Sequence, residues 1–168
     1  MSTLLVSVLN AFKSRSWAYD QVPDVEVVEA SFEAYHGKIP LHVQCFPEAH
    51  IVSVVSQTSL PVPASHKPRA AELLMRANKE LNLGNFEMEW DGGTVMFRLS
   101  NVFPKHRYDE GIIASLIHNA VAEMDRMTPY LGELCQTSKV MLPLLDVPGL
   151  LKREDLLPVV PEDTETAS

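Results

Sequence analysis

The chain has 168 residues, 46% of them hydrophobic, which suffices for the core of one domain of ordinary size with a terminal extension and would leave two separate domains marginal. A net charge of −8, with 14 lysines and arginines scattered along the chain, removes the field that draws proteins to phosphate backbones, so nucleic-acid binding is not expected. No apolar run approaches the ~20 residues that span a membrane, and Cys45 and Cys135 lack the spacing of a disulfide framework or zinc knuckle, which points to a reducing, cytoplasmic setting.

In chain order, Leu4, Leu5, Val8, Leu9 and Phe12 recur at helical spacing and predict a first helix that ends near Lys13 and Arg15. The segment lacks a preceding basic region and a small-residue cleavage pattern, so it reads as a helix and not as an export signal. After Pro23, Val28, Ala30, Phe32 and Ala34 alternate with Glu29, Ser31, Glu33 and Tyr35, the period of a half-buried strand. His36-Gly37-Lys38 permits a turn into a second strand, where Ile39, Leu41, Val43 and Cys45 alternate and Pro40 marks a beginning or an edge. His50 to Gln57 predicts a third strand, and its consecutive Val54-Val55 leaves open whether one face or both are covered. Leu60-Pro61-Val62-Pro63 ends the meander.

From Pro68 to Leu83 the period changes, with Ala70, Leu73, Leu74, Ala77 and Leu81 on one stripe of a second helix. Ser65 is the expected cap at its start and Gly84 the expected left-handed residue just past its end. Phe86, Met88 and Trp90, then Val95, Phe97 and Leu99, flank Asp91-Gly92-Gly93 and predict a tight hairpin with all six side chains on one face. Gly92-Gly93 is the preferred turn, because it sets Glu87 opposite Arg98; Asp91-Gly92 keeps the hydrophobic match and loses that pair. Asp109 caps a third helix with the stripe Ile113, Leu116, Ile117, Ala120, Val121, Met124 and Met127, which Thr128-Pro129 is expected to interrupt before a short segment through Cys135. Beyond Lys139, leucine- and valine-rich clusters alternate with prolines, so no long helix is possible. Such a stretch orders only when buried, on its own domain or on a neighbouring subunit. The division is thus an α/β domain over 1–137 and a proline-punctuated apolar C-terminal extension over 138–168, which could stand in for a client within its own chain.

The order helix, three strands, helix, two strands, helix, together with the run from Leu74 to Glu87 (LMRANKELNLGNFE) and the hairpin after it, resembles the YbjN family of bacterial proteins over roughly residues 1–137. Asn78, Gly84 and Phe86 match that family's motif of a late-helix Asn, a Gly and a strand-opening Phe. The resemblance implies an α+β fold, α-β-β-β-α-β-β-α, with an antiparallel sheet packed against helices in the manner of type III secretion chaperones. Those are small dimeric proteins that bind extended segments of clients. It also implies a sensory-transduction-regulator role, a homodimer, and no catalytic residue. Each motif residue has a structural reading: Asn78 bonding nearby backbone, Gly84 ending a helix, Phe86 filling the core.

Other chemistry is sparse. His42 with Cys45, or His36 with His42 and His50, could approach across strands, but an odd separation puts His42 and Cys45 on opposite faces and none of the spacings is a ligand signature. His66, His106 and His118 read as loop or helix-surface residues. Glu87 and Glu89 share a strand face, where solvated carboxylates opposite Arg98 or Thr94 explain them better than an acid/base pair does. Asp109 and Glu110 suit a helix N-terminus. The methionines Met124 and Met127 fall on the core stripe. No nucleophile motif and no phosphate loop is present, so neither a catalytic residue, a metal nor a cofactor is expected. The leading expectation is a non-enzymatic protein-binding module, chaperone-like or regulatory, whose exposed strand or helix surface receives an extended peptide. The alternative is a small-molecule sensor or small enzyme with a pocket between sheet and helices, where Glu87, Glu89, Arg98 or a histidine converge.

Overall fold

Ser2 opens the first helix: its Oγ accepts the Leu5 N–H at 3.0 Å, and α1 runs Thr3–Ser14 with Leu4, Leu5, Val8 and Phe12 on its buried stripe. The computed structural model describes residues 1–158. Beyond α1 the elements are β1 (Asp20–Gln21), β2 (Val27–Ala34), β3 (Gly37–Phe46), β4 (Ile51–Gln57), α2 (Lys67–Lys79), β5 (Asn85–Met88), β6 (Val95–Val102), α3 (Glu110–Gln136) and α4 (Val147–Leu151). The strands form one antiparallel sheet in the order β1-β2-β3-β4-β6-β5. The fold is α+β. β1 was not expected; two residues are too short to carry a period.

One face of the sheet carries Val28, Val43, Val54, Phe97 and Leu99, and these join Phe12 of α1, Leu73 of α2 and Ile117 and Met124 of α3 in a single core. Buried Ser56 donates its hydroxyl to the Ala120 carbonyl at 2.6 Å, so even the polar group of that face ties α3 to β4. Asp109 caps α3, its carboxylate accepting the Ile112 N–H at 2.9 Å.

The hairpin register corrects one expectation. Phe86 pairs with Phe97 and Glu87 with Met96, the register of an Asp91-Gly92 turn. The reason is Glu89, whose carboxylate accepts the N–H groups of Asp91 and Gly92 while its own N–H donates to Thr94 O at 2.9 Å. The chain therefore leaves the ladder after Met88, and Trp90, expected on the core face, is 57% exposed. The Glu87–Arg98 ion pair nonetheless forms as a diagonal on the solvent face.

Two helix ends also differ. α2 stops at Lys79 in a tightened turn, Glu80 and Leu81 N–H donating to Ala77 and Asn78 carbonyls, so Gly84 lies in the connection ahead of β5 and does not cap the helix. Ser65 does not cap α2 either; its hydroxyl meets His66 Nδ1 at 2.9 Å. α3 runs unbroken through Pro129. Proline there leaves the Asp125 carbonyl without a helical N–H, and His36 Nδ1 takes that place at 3.0 Å, while Asp125 Oδ1 accepts the His36 backbone N–H at 2.7 Å. A bond across 89 residues of chain compensates the local defect.

The segment after α3 folds back on α2. Arg69 donates to the carbonyls of Leu142, Pro143 and Leu145 at 2.8–3.0 Å, Asp146 caps α4, and Val147 and Leu150 enter the core. Tyr130 Oη donates to Arg153 O at 2.9 Å. Leu142 is buried, whereas Val140, Met141 and Leu144 remain exposed. Of the last apolar cluster, Leu156-Leu157-Pro158-Val159-Val160-Pro161, Leu156 packs against the core and Leu157 is exposed, while residues 159–161 lie outside the described residues.

Candidate binding surfaces

Asn78, Gly84 and Phe86 form one mechanical unit. Phe86 lies on the edge strand opposite Phe97, and its N–H and C=O point away from the sheet. The Asn78 side chain meets both: Oδ1 accepts the Phe86 N–H at 2.7 Å and Nδ2 donates to Phe86 O at 2.9 Å. One amide thus imitates a neighbouring strand and closes the β5 edge at that point. Gly84, at φ +74°, lets the chain pass beneath the Phe97 ring, which packs against Phe86 with ring centroids 4.9 Å apart. An extended peptide added to β5 would have to displace Asn78.

The ionisable residues are dispersed. His42 lies 3.7 Å from Glu29 on the solvent face of the sheet, His36 bonds Asp125, His50 Nδ1 meets Tyr108 Oη at 2.9 Å, and Cys45 is in the core. No group of three or more metal-ligating side chains occurs among the described residues. Glu87 and Arg98 pair in solvent, where Arg98 borders an open-face depression with His42 and Glu29, and Glu89 serves the hairpin turn, so Glu87, Glu89 and Arg98 do not converge between sheet and helices. His66 departs from its surface reading: it is 6% exposed, and Nε2 donates to Thr137 O at 2.6 Å, joining the start of α2 to the end of α3.

Burial, with a smaller push from Glu26, raises the Cys45 thiol from its usual 9.0 to about 12. Burial also raises Cys135, half-buried on α3. Both are poor nucleophiles at neutral pH. An unfolded chain ionises Cys45 near 9 while the folded chain holds the proton to about 12. The stabilisation is therefore full below pH 9 and declines above it, by about 1.4 kcal/mol per pH unit. Urea unfolding of the wild type and Cys45→Ala at pH 8 and 10.5 checks this: their difference should shrink at the higher pH.

Two surfaces stand out. On the sheet face away from the helices, Phe46, Ile51 and Val102 lie directly opposite one another at the ends of β3, β4 and β6, with Phe46 41% and Val102 68% exposed. Separately, a cavity of about 440 Å³ opens between the tip of the β2–β3 hairpin, residues 58–63 and the second half of α3. No sequence motif marked either, because each joins residues distant in the chain.

A family model for YbjN, described as "Putative bacterial sensory transduction regulator", matches residues 5–133, from α1 to the last turns of α3. The chain belongs to the YbjN family. A solved structure described as "Crystal structure of YbjN, a putative transcription regulator from E. coli" is similar at 12% identity and a TM-score of 0.44, covering 71% of this chain and 92% of that one. No curated protein matches the chain. Among the described residues, no helix is long and apolar enough to cross a membrane. The family description is that of a regulator, and the motif residues Asn78, Gly84 and Phe86 lie at the end of α2, in the connection and on β5 respectively.

Proposed function

We propose that this YbjN-family chain is a non-enzymatic regulatory module that acts by binding another protein on the open face of its sheet. The observation that carries the reading is the Phe46–Ile51–Val102 row. Three apolar side chains in register across three strands make a contiguous strip, and covering what is still exposed of them would contribute roughly 1 kcal/mol each, most for Val102. The reading is chaperone-like in that an extended apolar segment of a client can lie along such a strip. It uses the face and not the β5 edge, where Asn78 already occupies the Phe86 groups. It includes a cytoplasmic setting and a homodimer, in keeping with two cysteines of unrelated spacing and with the secretion-chaperone likeness of the sequence.

The test is affinity capture from a lysate of the native organism with two baits, the wild type and Val102→Asp, both checked for folding by circular dichroism. At least one protein should be retained by the wild type and fall tenfold or more with the variant. Identical profiles would contradict the reading. Light scattering on the same two samples reads the oligomeric state.

A further inference from the structure

The cavity beside α3 does not depend on the sheet-face reading, and its construction points to a small ligand. Ile39, Val62 and Leu131 give it buried apolar walls, and Pro61 and Pro63 add a stretch of backbone without N–H donors. Gly132, in the second-last turn of α3, lines it as well. The backbone there is not in the left-handed region, and a Cβ built at that position meets nothing within 4 Å. A glycine in a helix interior is unfavourable relative to alanine, and no turn or close approach compensates for it here. The effect of the missing side chain is to keep the cavity open against the helix.

Among the described residues no Asp or Glu lines the cavity, although the chain has 22 acidic residues, whereas His36 and Lys38 do. Lys38 stands opposite Glu33 in the hairpin ladder, yet its ammonium has no ion-pair partner among the described residues. His36 is held by Asp125, whose carbonyl, left vacant by Pro129, accepts from Nδ1 and whose carboxylate lies 3.4 Å from the same nitrogen, so Lys38 is the lining cation without an ion-pair partner among the described residues. A volume of about 440 Å³ is in the range of pockets that enclose drug-sized molecules.

We propose that this cavity binds a small amphiphile with one carboxylate head, its apolar body lying on Leu131, Gly132 and the Pro61–Pro63 wall and its carboxylate meeting the Lys38 ammonium. Charge complementarity selects the head, and the apolar walls select the body.

The experiment is a calorimetric titration of the full chain with decanoate, and with decan-1-ol as the uncharged comparison, both below the concentration at which decanoate aggregates. Decanoate should bind saturably at one site and more tightly than decanol. Gly132→Leu, which adds a side chain to the lining, should weaken both ligands tenfold or more. Lys38→Gln should weaken decanoate three- to tenfold and leave decanol unchanged. Absent or unsaturable decanoate binding, binding that Gly132→Leu does not alter, or a preference for decanoate that survives Lys38→Gln would each overturn the proposal. Should Gly132→Leu fail to fold, Gly132→Val takes its place with the same expected outcome.

Discussion

Truncation after Thr137 is expected to lower the stability of the chain by roughly 3–6 kcal/mol, because it strips the buried side chains of Val147 and Leu150 from the core at about 1.5–3 kcal/mol each. Arg69 would lose its three carbonyl acceptors at Leu142, Pro143 and Leu145, and Tyr130 would lose Arg153 O. Against a total of about 5–15 kcal/mol for a domain, this approaches the limit of what the remainder can withstand. Urea unfolding of the truncated and full chains measures it. An unchanged midpoint would mean that the extension is merely draped on the surface. The same pair of samples bears on the idea that the extension stands in for a client, since a dye for apolar surface should then report more binding after truncation.

Gly84→Ala should cost about 3 kcal/mol. An L-residue in the left-handed region loses about 1–2 kcal/mol, and the new Cβ would sit 2.5 Å from Phe97 Cζ and 2.9 Å from the Arg98 carbonyl oxygen. The ring has a little room to give; the carbonyl belongs to a strand paired on both sides and has almost none. Overpacking of this kind adds roughly 1–3 kcal/mol. Gly132→Ala is the internal comparison, expected to raise stability by about 0.5–1 kcal/mol because its backbone is helical and its Cβ unopposed. Opposite signs from the same substitution would separate a glycine required by geometry from one that keeps a space empty. Equal effects would defeat the distinction.

Much of the fold was legible because its periods are local. The α1 stripe, the alternation in β2 and β3 and the Asp109 cap are each written within a dozen residues. What was misread depends on side chains that act at a distance or against the local trend. Glu89 captures two turn N–H groups and moves the turn by one residue, which shifts the strand pairing by two; no alternation pattern encodes that. Pro129 reads as a helix break because its compensating partner, His36, lies on a hairpin far back in the chain. The candidate surfaces were the least legible. Phe46, Ile51 and Val102 are ordinary strand-end residues until the ladder aligns them, and the cavity draws on three separate segments. Gly132 was the one available signal, a glycine inside an otherwise strong helical stripe. The family motif names Asn78, but its pairing with both backbone groups of Phe86 needs the geometry of the β5 edge.

Hydroxyl-radical footprinting of the chain with and without its captured protein partner is the direct test of the proposed role. Phe46 and Val102 should lose most of their reactivity in the complex, while Met75 on α2 and Met141 near α4 stay reactive. Protection confined to Met75 and Met141, with Phe46 and Val102 as reactive as in the lone chain, would contradict docking on the open face of the sheet.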